Sequence, residues 1–217
     1  MSLRQYSIGL LGLILALTQL GNRAWTQEKP VAPLEYVGSK QCKFCHNKPE
    51  RGEQYTVWKS HKHSHAFETL FTREAARFAK IRRMRTAPSE SAACLKCHVT
   101  GYDVVTQSYP EKISIVDGVQ CETCHGPASA HVADGKILRM NKDAVIDISA
   151  NIRMPDEGLC VTCHNPESPP WNPEKFTTKS GEKTGFDFDR AVRIIAHGNP
   201  SRAGVDQRET AATPGTR

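Results

Sequence analysis

After a short polar start the chain runs apolar and uncharged from Ile8 to Leu17 (IGLLGLILAL), then turns polar again. With Arg4 ahead of the run and small Ala24 behind it, this pattern reads as an export signal over residues 1–24. Asn22 stands where such a cleavage site prefers a small residue. The run is too short for a membrane span, which takes about 20 apolar residues. No cysteine follows it to carry a lipid anchor. The expectation is a periplasmic chain with no transmembrane span after processing. Residues 25–36 are polar and punctuated by Pro30 and Pro33, as in a linker.

The main body is expected over 37–199. Glu53 to Arg85 is free of proline and rich in Ala, Glu, Arg, Lys and Leu, so mostly helix is predicted, broken near Phe71-Thr72. Residues 99–120 are β-branched around a Gly-Tyr turn and could hold a short hairpin. Glu157 to His164 is expected as a helical turn, after which Pro166, Pro169, Pro170 and Pro173 force a loop. Asp187 to Ala196 is a further helix with Val192 and Ile195 on one face. Beyond Pro200 the pattern has no period, so 200–217 is expected as a disordered tail. The fold class is therefore mainly α, with little or no sheet.

Composition changes this picture in one respect. Apolar residues make up only 38% of the chain, below what an ordinary core requires. Either the fold is weak or something other than protein fills its centre. The eight cysteines decide between the two. They occur as CKFCH (42–46), CLKCH (94–98), CETCH (121–125) and CVTCH (160–164), with none left over. Cys-x-x-Cys-His attaches haem c: two thiols bond one porphyrin edge and the adjacent imidazole takes the iron. Zinc tetrathiolates, disulfides and redox dithiols also use cysteine pairs, but none of them requires the fifth residue. Nine histidines in 217 residues would follow a given pair about 4% of the time, and all four by chance on the order of a few times in a million. Four covalently bound haems, held by Cys42, Cys45, Cys94, Cys97, Cys121, Cys124, Cys160 and Cys163, are thus expected to form the core. His46, His98, His125 and His164 would be the proximal iron ligands.

Five histidines lie outside these motifs: His61, His63, His65, His131 and His197. His131 is six residues past His125, and six residues reach at most about 20 Å. Rounding a porphyrin edge to the opposite face needs about 25 Å, so His131 would ligate a neighbouring haem instead. On a helix, His61 and His65 share a face and His63 points away from both. His61 and His65 could also form an H-x-x-x-H zinc pair, though no third ligand is evident. Met84, Met140 and Met154 are further candidates for the iron.

The ordered motifs resemble the tetrahaem cytochrome c-554 family of electron carriers. The likeness runs from about Gly38 to His197. It includes CKFCH, the Trp58-Lys59 helix with a histidine before Ala66 and Glu68-x-Leu70, CLKCHVTGY, GVQCETCHGP, CVTCHNPESPPW and FDFDRAV. The resemblance implies that His63 is distal to the haem of Cys121, Cys124 and His125, that His131 lies opposite His46, and that His197 lies opposite His164. It implies two stacked haem pairs in a mostly helical shell, and a five-coordinate haem at His98. The segment Trp171 to Phe186 is shorter than in the family, and His197 comes about two residues earlier after Phe-x-Phe-Asp. His61 and His65 are additions, and either of them, or a methionine, could fill the His98 site.

Bis-histidine haem has no position for a substrate, so a soluble electron carrier between redox partners of a respiratory chain is the first expectation. By the resemblance, the partners include a hydroxylamine oxidoreductase-like multihaem donor and a membrane-bound acceptor. An open haem at His98 raises the alternative of nitric oxide reduction or gas binding. The formal charge is +6, and Arg73 to Arg85 (REAARFAKIRRMR) carries six cations and one acid. This stretch reads as a docking patch for an acidic redox partner or as counter-charge for haem propionates. It lacks the interleaved aromatics of a nucleic-acid surface, and no nucleic acid is expected as a partner.

Overall fold

The motif residues fall at the ends of short helices, and these helices set the architecture. The computed structural model describes residues 33–198. The leader expected over 1–24, nearly all of the linker and the tail expected over 200–217 lie outside the described residues. Eight α-helices are described: α1 (Ser39–His46), α2 (Gln54–Ser60), α3 (Arg73–Ile81), α4 (Ala92–His98), α5 (Cys121–His125), α6 (Ser129–Met140), α7 (Glu157–Cys160) and α8 (Phe188–Ile195). The sheet has two short antiparallel strands, β1 (Phe176–Thr177) and β2 (Lys183–Thr184), with Phe176 opposite Thr184. The mainly α expectation holds. Among the described residues no helix is long and apolar enough to cross a membrane.

Local chemistry explains where the helices stop. Thr72 has an extended backbone, and its hydroxyl accepts from the Ala75 N–H, so it opens α3 at the predicted break. Asp156 and Asp187 cap α7 and α8 in the same way, accepting from Leu159 and Arg190. A second break at His61 was not foreseen. His61 is extended (φ −96°, ψ 160°), and tight 3-10 turns follow at Lys62–His65 and Phe67–Phe71. Buried Ser64 places its hydroxyl 2.9 Å from both the Lys59 and His61 carbonyls, and Val119 N–H donates to the His63 carbonyl at 2.9 Å. These groups take acceptors that a continuing helix would have used. The three histidines therefore lie on a broken chain, and the helical faces expected for them do not form.

Between 99 and 120 the structure has a single bridge, Asp103 with Ser108, in place of a hairpin. The Asp103 carboxylate accepts from Val105 and Thr106 N–H groups, which closes the loop before strands can extend.

Two kinds of packing hold these pieces. One is a small apolar cluster of Phe67, Leu70, Val99 and Ile113, with Tyr36, Cys94, Leu95, Tyr102 and Ile115 against it. The other is polar. The largest fully buried side chains are Gln120, Glu122, Thr100, Ser39 and Ser64. Gln120 accepts from Ser39 N–H at 2.8 Å and donates to the Ser114 carbonyl at 2.9 Å. These bonds tie the start of α1 to the 114–120 loop.

Gly118 lets that loop approach the histidine turn. Its φ is +60°, and a Cβ there would lie 2.7 Å from the His63 carbonyl oxygen and 2.9 Å from Ala66 N. Gly118→Ala is expected to cost about 1–3 kcal/mol in chemical denaturation and to weaken any ligation by His63. Unchanged stability and spectrum would contradict the role given to this contact.

Candidate haem-ligand sites

In α1, α4 and α5 the Cys-x-x-Cys-His unit ends the helix, and at α7 it runs on into the following turn. Residues three and four apart share a helix face, so both thiols and the imidazole of each unit project to one side. That is the arrangement one flat macrocycle requires. None of the eight cysteines forms a disulfide, and all are partly buried. Between units, the side chains of Cys42 and Cys121 are neighbours, as are those of Cys97 and Cys163. The first unit thus abuts the third, and the second abuts the fourth.

Six of the seven proposed ligand histidines face one another in pairs. His46 and His131 have ring centroids 6.0 Å apart and nearly parallel planes, at 19°. His63 and His164 lie 6.0 Å apart at 58°. His125 and His197 lie 5.8 Å apart at 47°. Two imidazoles bound to one metal through nitrogens at about 2 Å each hold their centroids about 6 Å apart. The three spacings fit that geometry.

Tautomers fit as well. A ligating histidine donates its second ring N–H to an oxygen, which fixes the other nitrogen as the lone-pair donor. Nδ1 of His46 bonds the Gln54 side-chain oxygen at 3.1 Å, and Nδ1 of His131 bonds the Ile148 carbonyl at 2.9 Å. Nδ1 of His125 bonds the Arg153 carbonyl at 2.9 Å. Nδ1 of His98 bonds the Ala66 carbonyl at 2.6 Å, with the Thr69 hydroxyl at 3.2 Å. In each case Nε2 is left for iron. Burial holds His46, His63, His164 and His197 below the usual histidine range, which favours the neutral form a metal needs.

Two pairings differ from those the resemblance implied. His63 faces His164 rather than His125, and His197 faces His125 rather than His164. The His63 carbonyl is held by Val119 N–H, two residues before the third unit, while its ring lies against His164 of the fourth. The segment after α8 is held to α2, where Gln54 donates to the Gly198 carbonyl at 2.7 Å. His131 lies against His46, the position the resemblance implied for it.

No second imidazole faces His98 among the described residues. His65 uses both ring nitrogens elsewhere, on the Glu68 carboxylate at 3.1 Å and the Lys59 carbonyl at 3.2 Å. Met140 and Met154 are exposed. A zinc site at His61 and His65 finds no support, since no group of three or more candidate metal ligands occurs among the described residues.

Sequence reasoning missed Glu122, one of the two variable residues inside CETCH. It is 1% exposed. Its carboxylate accepts from the N–H groups of Val37 at 2.9 Å, Gly38 at 2.8 Å and Ala128 at 2.9 Å. It clamps the lead-in to the first unit against the exit from the third. An acid at a variable motif position gives no signal of its own. The Nδ1 acceptors gave none either, because three of the four are backbone carbonyls.

The basic stretch is exposed along α3 and the following turn. Its only side-chain hydrogen bond to another segment among the described residues is from Arg82 to the Glu167 carbonyl at 3.3 Å. None of its cations forms an ion pair there.

Residues 41–126 match the family model described as cytochrome c554 and c-prime. The chain is also 29% identical over 183 residues to cytochrome c-554 of Nitrosomonas europaea, an alignment that covers 76% of this chain and 74% of that protein. No solved structure matches. Through the segment carrying its first three Cys-x-x-Cys-His motifs, and through an alignment over about three quarters of its length, the chain is similar to cytochrome c554 proteins.

Proposed function

We propose that this protein binds four haem c groups and moves electrons between redox partners outside the cytoplasm. The observation that carries the reading is the set of three imidazole pairs, each about 6 Å apart and each joining a motif histidine to one from elsewhere in the chain. When bound, haem iron supplies reversible one-electron exchange. The residues of this chain do the rest. Cys42 and Cys45, Cys94 and Cys97, Cys121 and Cys124, and Cys160 and Cys163 would tether the groups. His46 with His131, His164 with His63, and His125 with His197 would close both axial positions of three irons against small molecules. The neighbouring thiols of the first and third units, and of the second and fourth, support close approach within each pair of groups.

The export pattern over 1–24 supports a periplasmic location and a role in a respiratory chain. A hydroxylamine oxidoreductase-like donor and a membrane-bound acceptor are the proposed partners, with the exposed cations of α3 offering a docking face to an acidic surface. Intact mass of the purified native protein tests the reading directly. Four haem masses retained under denaturing conditions are expected, and a mass equal to the polypeptide alone would end it.

One observation favours a second role at a single site. His98 is oriented by its Nδ1 bond, yet among the described residues no imidazole stands opposite. That arrangement supports binding of a small gas such as nitric oxide, with reduction as the alternative to electron carriage.

A further inference from the structure

Gln54 touches the ligand sets of two different haem sites. Its side-chain oxygen lies 3.1 Å from His46 Nδ1, which belongs to the first unit. Its side-chain nitrogen donates to the Gly198 carbonyl at 2.7 Å, one residue past His197, and also to the Arg51 carbonyl. The amide is thereby fully used: one acceptor on a ligand and two donors on backbone. Gly52 completes the seat, because a Cβ there would meet the Gly198 oxygen. Among the described residues, no side-chain hydrogen bond is made by His197 itself or by any of the residues 191–196 before it. Among the described residues, the Gln54 bond fastens the backbone just after His197.

We propose that Gln54 is a positioning residue shared by two haem sites, tuning the His46 ligand and seating His197 opposite His125. This rests on the reading of His46/His131 and His125/His197 as axial pairs. The acceptor on His46 Nδ1–H makes that imidazole a stronger electron donor to iron, which favours the oxidised state. The donor on Gly198 holds the backbone just after His197 and so fixes where the His197 ring stands. One amide performs both tasks because it carries both an acceptor and a donor. A carboxylate or an alkyl group at this position cannot do so.

The test is an EPR-monitored redox titration of the holoprotein and of Gln54→Leu and Gln54→Glu, with His131→Ala used to identify the His46 centre. Gln54 is half-exposed, so both variants are expected to fold and load haem. Gln54→Leu is expected to raise the potential of the His46 centre. Gln54→Glu keeps an acceptor, now charged, and is expected to lower it. Both remove the donor to Gly198, and both are expected to give a high-spin signal from the His125 centre. Potentials that move in the same direction, or not at all, or a His125 centre that stays wholly low-spin in both variants, would overturn the proposal. If His131→Ala itself creates no high-spin iron, the axial reading fails rather than the role of Gln54.

Discussion

His63→Ala is expected to turn one low-spin haem high-spin, and that haem is the one tethered by Cys160 and Cys163. The ring of His63 stands 6.0 Å from that of His164, while His125 has His197 at 5.8 Å. Removing an axial imidazole leaves iron with one strong-field ligand, so the change in spin state is complete for that centre rather than graded. His197→Ala is expected to do the same at the Cys121 and Cys124 site, and His131→Ala at the Cys42 and Cys45 site. The added paramagnetic broadening in NMR spectra of His63→Ala should fall on residues around Cys160 to Asn165. Broadening around Cys121 to Gly126 instead would restore the pairing implied by family resemblance and refute the one described here.

The second large effect is expected on stability. Glu122→Ala leaves the buried N–H groups of Gly38 and Ala128, and the part-buried N–H of Val37, without their acceptor. An unsatisfied buried donor costs about 1–3 kcal/mol. Allowing for relaxation and entry of water, the loss should be on the order of 4 kcal/mol, a large part of a typical 5–15 kcal/mol total. Glu122→Gln keeps one oxygen that can serve two of the three donors but turns an NH2 toward the third, so about 1–3 kcal/mol is expected. Guanidinium denaturation of the holoprotein measures both. Losses within about 0.5 kcal/mol for both variants, the range of ordinary surface substitutions, would show that the clamp does not hold α1 to α5.

The parts legible from sequence were those with a fixed covalent or geometric spacing. The four Cys-x-x-Cys-His units imposed their meaning by count, and the six residues from His125 to His131 excluded one haem by reach alone. The Thr72 break, the Asp156 turn and the Asp187 helix start follow from short polar side chains that cap a helix. What stayed hidden depends on distant backbone. The break at His61 arises because Ser64 and Val119 take local carbonyls, and Val119 is 56 residues beyond His63 in sequence. Two of the three pairings join segments that motif order does not place side by side. The longest helix described, α6, was also unread. Six of its twelve residues are apolar, and its place follows from Ser129, which donates its backbone N–H to the Glu35 carbonyl and accepts from Glu35 N–H on its side chain. The polar interior of Gln120 and Glu122 shows no hydrophobic period at all, because it is built from hydrogen bonds rather than from apolar faces.

These strands meet in the number of irons with two imidazoles. Spin quantification of the fully oxidised protein by EPR counts them in one measurement. Three low-spin ferric centres to one high-spin centre is the expected ratio, the high-spin iron being that of His98. Four low-spin centres, or fewer than three, would contradict the arrangement of facing histidines described above.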